Sequence, residues 1–224
     1  MTNDPTLPHI LSKSDSSYPQ GVLQLPKAPS FMYASGTLET LKQPLIAILG
    51  TREPSRQGVF NSAFFGKRLA EHGFCICAGI SEGVAALALS AAIKTGMPNA
   101  TLGVCASGLN LPYPKKLTGL STQIQMNGLL ISEYPKDTLA FAKHFHDRNR
   151  ILASICQAVL VIETSAKSSS FFTASLAAEL GKEVFAIPGN IHESSSHGAH
   201  KLIKQGAKLV ETIDDILEDF PLYK

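Results

Sequence analysis

The segment 145–150 brings one aromatic ring and two guanidinium groups within six residues of each other, on Phe145, Arg148 and Arg150. An exposed ring can stack on a nucleobase while arginine contacts phosphate, and this combination is typical of sites for single-stranded nucleic acid. The alternative is that Phe145 packs in the core and that the arginines pair inside the fold. The residue types therefore indicate a candidate nucleic-acid contact, with an internal role left open for each side chain.

Further loops combine glycine, hydroxyl and basic side chains next to strand-like runs. After a buried strand and before a helix, backbone N–H groups and the helix N-terminus can bind a phosphate, and glycine permits close backbone approach. Hydroxyl groups at such positions can equally serve only as helix caps. The candidate phosphate-loop residues are Gly50, Thr51, Ser55, Gly79, Gly83, Ser107, Gly108, Ser168 and Ser169. The candidate cations in these loops are Arg52, Lys115 and Lys167.

Several kinds of catalytic and metal site are not indicated. The sequence contains no G-x-G-x-x-G, Walker or nucleophile-elbow motif and no Ser/His/Asp order. His192, His197 and His200 lack cysteines or carboxylates at the spacing of zinc ligands. We therefore expect a binding protein, not an enzyme, without a metal ion, a cofactor or catalytic residues.

The composition limits where a nucleic-acid site can lie. Hydrophobic residues make up 44% and charged residues 17% of the chain, which is ordinary globular usage. Lys and Arg number 20 against 18 Asp and Glu, so a DNA site has to be local and is not a property of the whole surface.

The apolar segments indicate neither a membrane span nor a disulfide framework. No apolar run approaches the ~18 residues of a span, and the first residues lack the basic and apolar regions of a signal peptide. The four cysteines lie within or beside apolar runs, where a free thiol packs as a small hydrophobe. We expect a cytoplasmic protein without a membrane partner.

Short apolar runs alternate along the chain with longer segments of helical spacing. The predicted strands cover 45–49, 74–78, 100–106, 128–132, 158–163 and 183–187, with a weaker one at 208–210. The predicted helices cover 57–72, 84–95, 117–126, 150–155, 170–180 and 199–205. Such alternation implies right-handed crossovers and a mostly parallel α/β sheet. Residues 1–17 are polar and aperiodic, and are predicted to be a tail before one domain over 18–224.

Sheets of this kind bind ligands in the crevice outside the carboxyl ends of their strands. The loops at that edge are predicted at 50–58, 79–83, 107–116, 133–150 and 163–169. The candidate residues above all fall within these loops. We therefore expect a single site at one edge of the sheet.

A set of motifs in chain order resembles the DNA-processing protein A (DprA/Smf) family over about 18–219. The motifs are GTR at 50–52, GLNLPYP at 108–114, ISEYP at 131–135, FHDRNRI at 145–151 and GKEVFAIPG at 181–189. The sequence departs from the family pattern in AGISEGVAALAL at 78–89, where Ala85 and Leu89 replace the usual Asp and His. Leu117 and Ser169 likewise replace an Asn and a Gly.

The resemblance implies an extended Rossmann-like three-layer fold with a mostly parallel sheet. It implies a sequence-tolerant single-stranded-DNA-binding protein that acts in DNA processing during natural transformation and uses no cofactor. It further implies a homodimer that helps load the RecA recombinase onto incoming DNA. Many members carry a C-terminal winged-helix domain, so the chain is expected to be either one domain of a longer protein or a short member.

Two alternatives use the same crevice. One is a nucleoside-5′-monophosphate phosphoribohydrolase of the lysine-decarboxylase-like class, whose P-G-G-x-G-T-x-x-E hallmark is replaced here by SSSFFT at 168–173. The other is a nucleotide-sensing Rossmann module that binds without catalysis. Release of a free base would favour the first, and nucleotide binding without DNA binding would favour the second.

Overall fold

Nine strands form one sheet in the part of the chain that the computed structural model describes, residues 8–223. The strands are β1 (His9–Ser12), β2 (Phe31–Gly36), β3 (Leu45–Leu49), β4 (Cys75–Gly79), β5 (Thr101–Cys105), β6 (Leu129–Ser132), β7 (Ala158–Val161), β8 (Glu183–Ala186) and β9 (Lys208–Leu209). Their order across the sheet is β1-β2-β6-β5-β4-β3-β7-β8-β9. The β1–β2 and β2–β6 pairs are antiparallel, and the other pairs are parallel.

Helices cover both faces of this sheet. They are α1 (Gln20–Leu23), α2 (Arg56–Glu71), α3 (Val84–Ile93), α4 (Thr118–Asn127), α5 (Ala142–Ile155), α6 (Ser169–Glu179), α7 (His197–Lys204) and α8 (Ile213–Leu217). Helices α2, α3, α4 and α8 pack on one face, and α1, α5, α6 and α7 pack on the other. The predicted three-layer α/β architecture with a mostly parallel sheet is confirmed.

The central strand β3 shows how the sequence supplies two cores. All five of its residues are buried, as expected for a parallel strand covered on both faces. Ile46 and Ile48 belong to the core under α2 and α3, while Leu45, Ala47 and Leu49 belong to the core under α5 and α6. Because successive side chains of a strand point to opposite faces, one apolar run serves both layers.

Two strands were missed at the sequence level. The interval 9–12 falls in the predicted polar tail, yet it forms β1 and pairs with β2, and Leu11 is buried. The strand β2 itself lies in a segment interrupted by prolines, where no strand was predicted. Both strands lie at the antiparallel end of the sheet, where only one face needs apolar residues and the sequence signal is weak. Residues 1–7 of the predicted tail lie outside the described residues.

Helix α5 is longer than predicted, because it begins at Ala142 and not at Arg150. Its first two turns contain no fully buried apolar residue, and its N-cap Phe141 makes no capping bond. The two signals that indicate the start of a helix, apolar periodicity and a capping residue, are therefore both missing at the N-terminus of α5. The consequence for function is that Phe145 and Arg148 lie on a helix and not in a loop.

Within residues 8–223, no helix combines the length and apolar character that crossing a bilayer requires.

Truncation of Leu11 tests whether β1 contributes to stability. The side chain is 5% exposed on the covered face of the sheet, so Leu11→Ala is expected to lower the free energy of unfolding by about 2 kcal/mol. Ile10, on the same strand, is 61% exposed, so Ile10→Ala is expected to change it by less than about 0.5 kcal/mol. Urea denaturation measures both, and equal effects would mean that β1 is not part of the cooperative fold.

Candidate nucleic-acid interface

The strand order places a crevice between the loops that follow β3 and β7. From β3 the chain runs through α2 to β4 on one side of it, and later returns to β7 on the other side. Such a switch point leaves a gap at the carboxyl edge of the sheet, where ligands bind in open α/β folds. The first loop contains Arg52, and the second leads to the N-terminus of α6.

A small cavity of about 60 Å³ lies in this crevice. We call it the arginine pocket, after Arg52 and Arg148 in its wall. Its other polar wall residues are Ser81, Asn149, Ser169, Ser170 and Thr173, and its remaining wall residues are Ile48, Leu49, Gly50, Gly79, Ala85 and Leu152. Among the described residues, two cations and no carboxylate line this pocket.

Arg148 is buried without a counter-ion. Its side chain is 7% exposed, and its guanidinium occupies the space in which a Cβ at Gly79 would lie. One Nη donates a long hydrogen bond of 3.4 Å to the carbonyl of Val104, while Nε has no partner in the described part of the chain. Burial lowers the pKa of Arg148 to about 10. Because buried arginines are ordinarily paired, this charge indicates a site for an anion.

The ring of Phe145 lies next to both guanidinium groups. The Cζ atoms of Arg52 and Arg148 are 6.0 Å and 5.8 Å from its centre, within the range of cation–π attraction. Tyr113 packs edge-on against the same ring at 5.8 Å. Phe145 is therefore half-buried and holds the two like charges near each other, while Tyr113 remains 52% exposed.

A second, larger cavity of about 380 Å³ adjoins the arginine pocket. We call it the aromatic cleft, because Tyr113 and Phe145 lie in its wall. It shares Arg52, Ser81, Asn149 and Ser169 with the arginine pocket. A ligand with an anionic group and an aromatic group can therefore occupy both cavities at once.

Backbone donors at the start of α6 add to the positive potential of the arginine pocket. Ser168 caps this helix by accepting a hydrogen bond from the backbone N of Phe171 at 3.1 Å. The N–H groups of Ser169 and Ser170 belong to the first turn and have no acceptor within the helix. Since both residues line the pocket, the helix dipole favours an anion there.

The N-terminus of α2, by contrast, is occupied by an internal carboxylate. Glu163 accepts hydrogen bonds from the backbone N of Ser55, at 3.0 Å, and from the Ser55 hydroxyl. Ser55 also caps α2 by accepting from the N–H of Gly58. Ser55 therefore binds a side chain of the protein, and Glu163, which the sequence did not single out, is the anion at this helix end.

Residues 9–221 match the family model of DNA recombination-mediator protein A. The chain belongs to this family. It is 36% identical to DprA of Streptococcus pneumoniae over 92% of this chain and 72% of that protein. It is 34% identical to Smf of Escherichia coli over 94% of this chain, and spans 56% of that protein's length.

Two solved DprA structures share the fold closely. The X-ray structure of S. pneumoniae DprA matches with a TM-score of 0.88 and 35% identity, covering 94% of this chain and 73% of that one. The structure of Helicobacter pylori DprA, described by its single-stranded-DNA-binding mode, matches with a TM-score of 0.86 and 26% identity over 96% of both chains. The DNA recombination-mediator family and its Rossmann-like fold, implied by the motifs, are thus confirmed.

Part of the predicted DprA site converges on the arginine pocket. Gly50, Arg52, Gly79, Arg148 and Ser169 line it together, and Phe145 lies beside it. The sequence did not single out Ser81, Asn149 and Tyr113, which the structure adds. Asn149 and Tyr113 occur within the family motifs at 145–151 and 108–114, so the motifs were the available signal.

Other predicted residues support the loops around the crevice. The backbone N of Thr51 donates to the Glu163 carbonyl, and Thr51 O accepts from the N of Val84. Gly83 has a φ of +73° and leaves no room for a Cβ against this loop. Ser107 is buried, and its hydroxyl donates to Leu111 O. Gly108 lies tightly against the carbonyl of Pro135.

The remaining predicted cations lie outside the arginine pocket and the aromatic cleft. Arg150 donates to Glu133 at 2.5 Å and to the carbonyl of Lys27 at 2.9 Å, so it has the internal role that the sequence left open. Lys115 and Lys167 are exposed, and among the described residues neither side chain has a partner. Both remain available to a ligand that extends beyond the pocket.

The departures from the family pattern have different consequences. Leu89, at the position of the usual His, is completely buried in the core under α2 and α3. Ala85, at the position of the usual Asp, lines the arginine pocket in the first turn of α3. The chain therefore lacks a carboxylate at this point of the pocket wall.

The three histidines at 192–200 form no metal cluster, and no cluster of three or more ligands occurs within 8–223.

Replacing Arg148 or Arg150 by methionine separates an arginine without a counter-ion from one that pairs with a carboxylate. Arg150→Met leaves Glu133, only 19% exposed, without its cation, so the free energy of unfolding is expected to fall by about 2 kcal/mol. Arg148→Met removes a buried charge that has no carboxylate partner, so the stability is expected to stay within about 0.5 kcal/mol of the parent or to increase. Thermal denaturation at neutral pH measures both variants. A loss for Arg148→Met as large as that for Arg150→Met would contradict an unpaired Arg148.

Proposed function

We propose that the chain binds single-stranded DNA at the carboxyl edge of its sheet, with a phosphate in the arginine pocket and a base in the aromatic cleft. The observation that carries the proposal is the buried, unpaired guanidinium of Arg148 beside Arg52 at the topological switch point. The two cavities share a wall, so adjacent phosphate and base groups of one strand fit them together. The description of the H. pylori relative as a single-stranded-DNA-binding protein supports the choice of ligand.

The type of contact favours binding without strong sequence preference. Contacts to phosphate carry no base identity, and stacking on an aromatic ring accepts every base. Arg52 and Arg148 supply the first kind, and the exposed ring of Tyr113 next to Phe145 supplies the second. Lys115 and Lys167 add charge on either side for neighbouring phosphates.

The wider role follows from family membership. We propose that the chain acts in DNA processing during natural transformation, as a homodimer that helps load RecA onto incoming strands in the cytoplasm. A dimer would present two strand sites on one particle, which raises the effective concentration for long strands. Sedimentation at micromolar concentration, with and without RecA, tests both associations.

A titration with oligo-dT, with a duplex of equal length and with AMP tests the ligand class. Single strands are expected to bind better than the duplex, because no helix in the crevice is presented for reading a major groove. Tighter duplex binding would contradict the site. Release of adenine from AMP would instead support the phosphoribohydrolase alternative.

Arg52→Ala tests the phosphate contact. Loss of one charge-assisted contact is expected to weaken binding of oligo-dT by about 1.5 kcal/mol or more, and to reduce the slope of log affinity against log salt by about 0.7. The matched control is Arg68→Ala, because Arg68 pairs with Glu71 at the far end of α2. Fluorescence anisotropy at several salt concentrations measures both. An unchanged salt slope for Arg52→Ala would place the DNA elsewhere.

The aromatic cleft predicts different effects for its two rings. Tyr113→Ala is expected to lose about 1–3 kcal/mol of binding with the salt slope preserved, because the exposed ring stacks a base. Phe145→Ala is expected to lose affinity and also to lower the melting temperature, because the half-buried ring packs against Tyr113 and both arginines. Binding and thermal denaturation are measured on the same preparations. Full affinity in Tyr113→Ala would exclude this ring as the stacking surface.

A further inference from the structure

The arginine pocket is small, about 60 Å³, and part of its wall is buried. Its floor consists of the buried residues Ile48, Leu49, Ala85, Leu152 and Thr173. The residues that it shares with the aromatic cleft lie where the two cavities adjoin. An internal phosphodiester carries a nucleoside on both sides, so two arms of the chain would have to fit around a pocket of about 60 Å³. A terminal phosphate has only one arm and enters such a pocket end-on.

The charge of the pocket also distinguishes the two kinds of phosphate. Arg52 and Arg148 contribute two positive charges, and among the described residues no carboxylate lines the pocket. A phosphodiester carries one negative charge, whereas a phosphomonoester carries about −1.5 to −2 at neutral pH and has three terminal oxygens. The monoester therefore matches the pocket charge more closely.

The donors around the pocket suffice for three terminal oxygens. Arg148 Nε has no partner in the described part of the chain. Arg52 forms no ion pair there either. The first-turn N–H groups of Ser169 and Ser170 complete the set. A buried guanidinium without a counter-ion, whose Nε has no hydrogen-bond partner in the described part of the chain, lies next to an open helix N-terminus, and a bound dianion would satisfy both.

We propose that the arginine pocket binds a phosphomonoester, namely the terminal phosphate of a DNA strand whose last base lies in the aromatic cleft. The inference rests on the proposed function for the identity of the strand, but the phosphomonoester chemistry rests on the pocket alone. The chain then recognises strand ends in addition to binding along strands.

The experiment compares oligo-dT of about ten nucleotides, within the usual size of a single-strand site, that carries a 5′-hydroxyl, a 5′-phosphate or a 3′-phosphate. A terminal phosphate at one end is expected to raise affinity about tenfold over the hydroxyl-ended strand, as expected for hydrogen bonds to a charged group. Arg148→Met is expected to abolish this gain. Arg68→Ala, far from the pocket, is expected to retain it.

Ala85 offers a second pair of variants that does not alter the arginines. Ala85→Asp introduces a carboxylate into the pocket wall, whereas Ala85→Asn introduces a group of nearly the same shape without charge. The gain in affinity from a terminal phosphate is expected to disappear in Ala85→Asp. In Ala85→Asn it is expected to be clearly larger than in Ala85→Asp. Equal losses in the two variants would show that space, and not charge, governs binding and would overturn the dianion argument.

The outcomes separate this inference from the proposed function. Equal affinity for all three strands in the parent protein would overturn the terminal-phosphate site while leaving single-strand binding intact. A second outcome is that no strand binds, but thymidine monophosphate binds and this binding is lost in Arg148→Met. The proposed function then fails while the phosphomonoester chemistry stands. Thymidine monophosphate that binds as tightly as a phosphorylated strand would identify a free nucleotide as the source of the group.

Discussion

The arrangement of the crevice depends on one contact, the guanidinium of Arg148 over the backbone of Gly79. Only a glycine leaves this space open, since a Cβ at position 79 would overlap the guanidinium. The contact brings α5 close to the end of β4 and places Phe145 next to Arg52. It also leaves a positive charge in a buried position where Val104 O and the Phe145 ring are its contacts. An anion from outside the chain would supply the missing counter-charge, as proposed above.

Several carboxylates elsewhere at the same edge have partners within the protein. Glu163 occupies the N-terminus of α2, Glu133 pairs with Arg150, and Glu82 pairs with Lys116. The internal pairs explain why an excess of only two positive charges over the whole sequence is compatible with a strongly cationic pocket. Local pairing, and not net charge, decides where an anion can bind.

The sequence predicted the layers because these depend on strong, local signals, and it indicated the carboxyl edge of the sheet for the candidate site. Apolar runs such as β3 and β7 indicate buried parallel strands. Ligands of such sheets bind outside the carboxyl ends of the strands, which indicates the edge to inspect. The sequence did not predict the roles of Arg148 and Arg150. Two residues apart on a helix, they point about 200° apart, so one lies over Gly79 and the other meets Glu133. The start of α5 has no apolar stripe or cap, so the sequence did not show where the helix begins. This difference in direction between the two arginines could therefore not be deduced.

The same contact links binding to stability. A buried charge without a counter-ion opposes folding, so packing alone does not account for an arginine at position 148. A ligand that binds only the folded state stabilises it in proportion to the logarithm of its concentration over its dissociation constant. A ligand that supplies the missing negative charge therefore recovers the desolvation penalty of Arg148 as binding free energy. Because Ala85 provides no internal carboxylate at the pocket wall, a ligand that supplied this charge would couple the stability of the domain to the occupancy of its crevice.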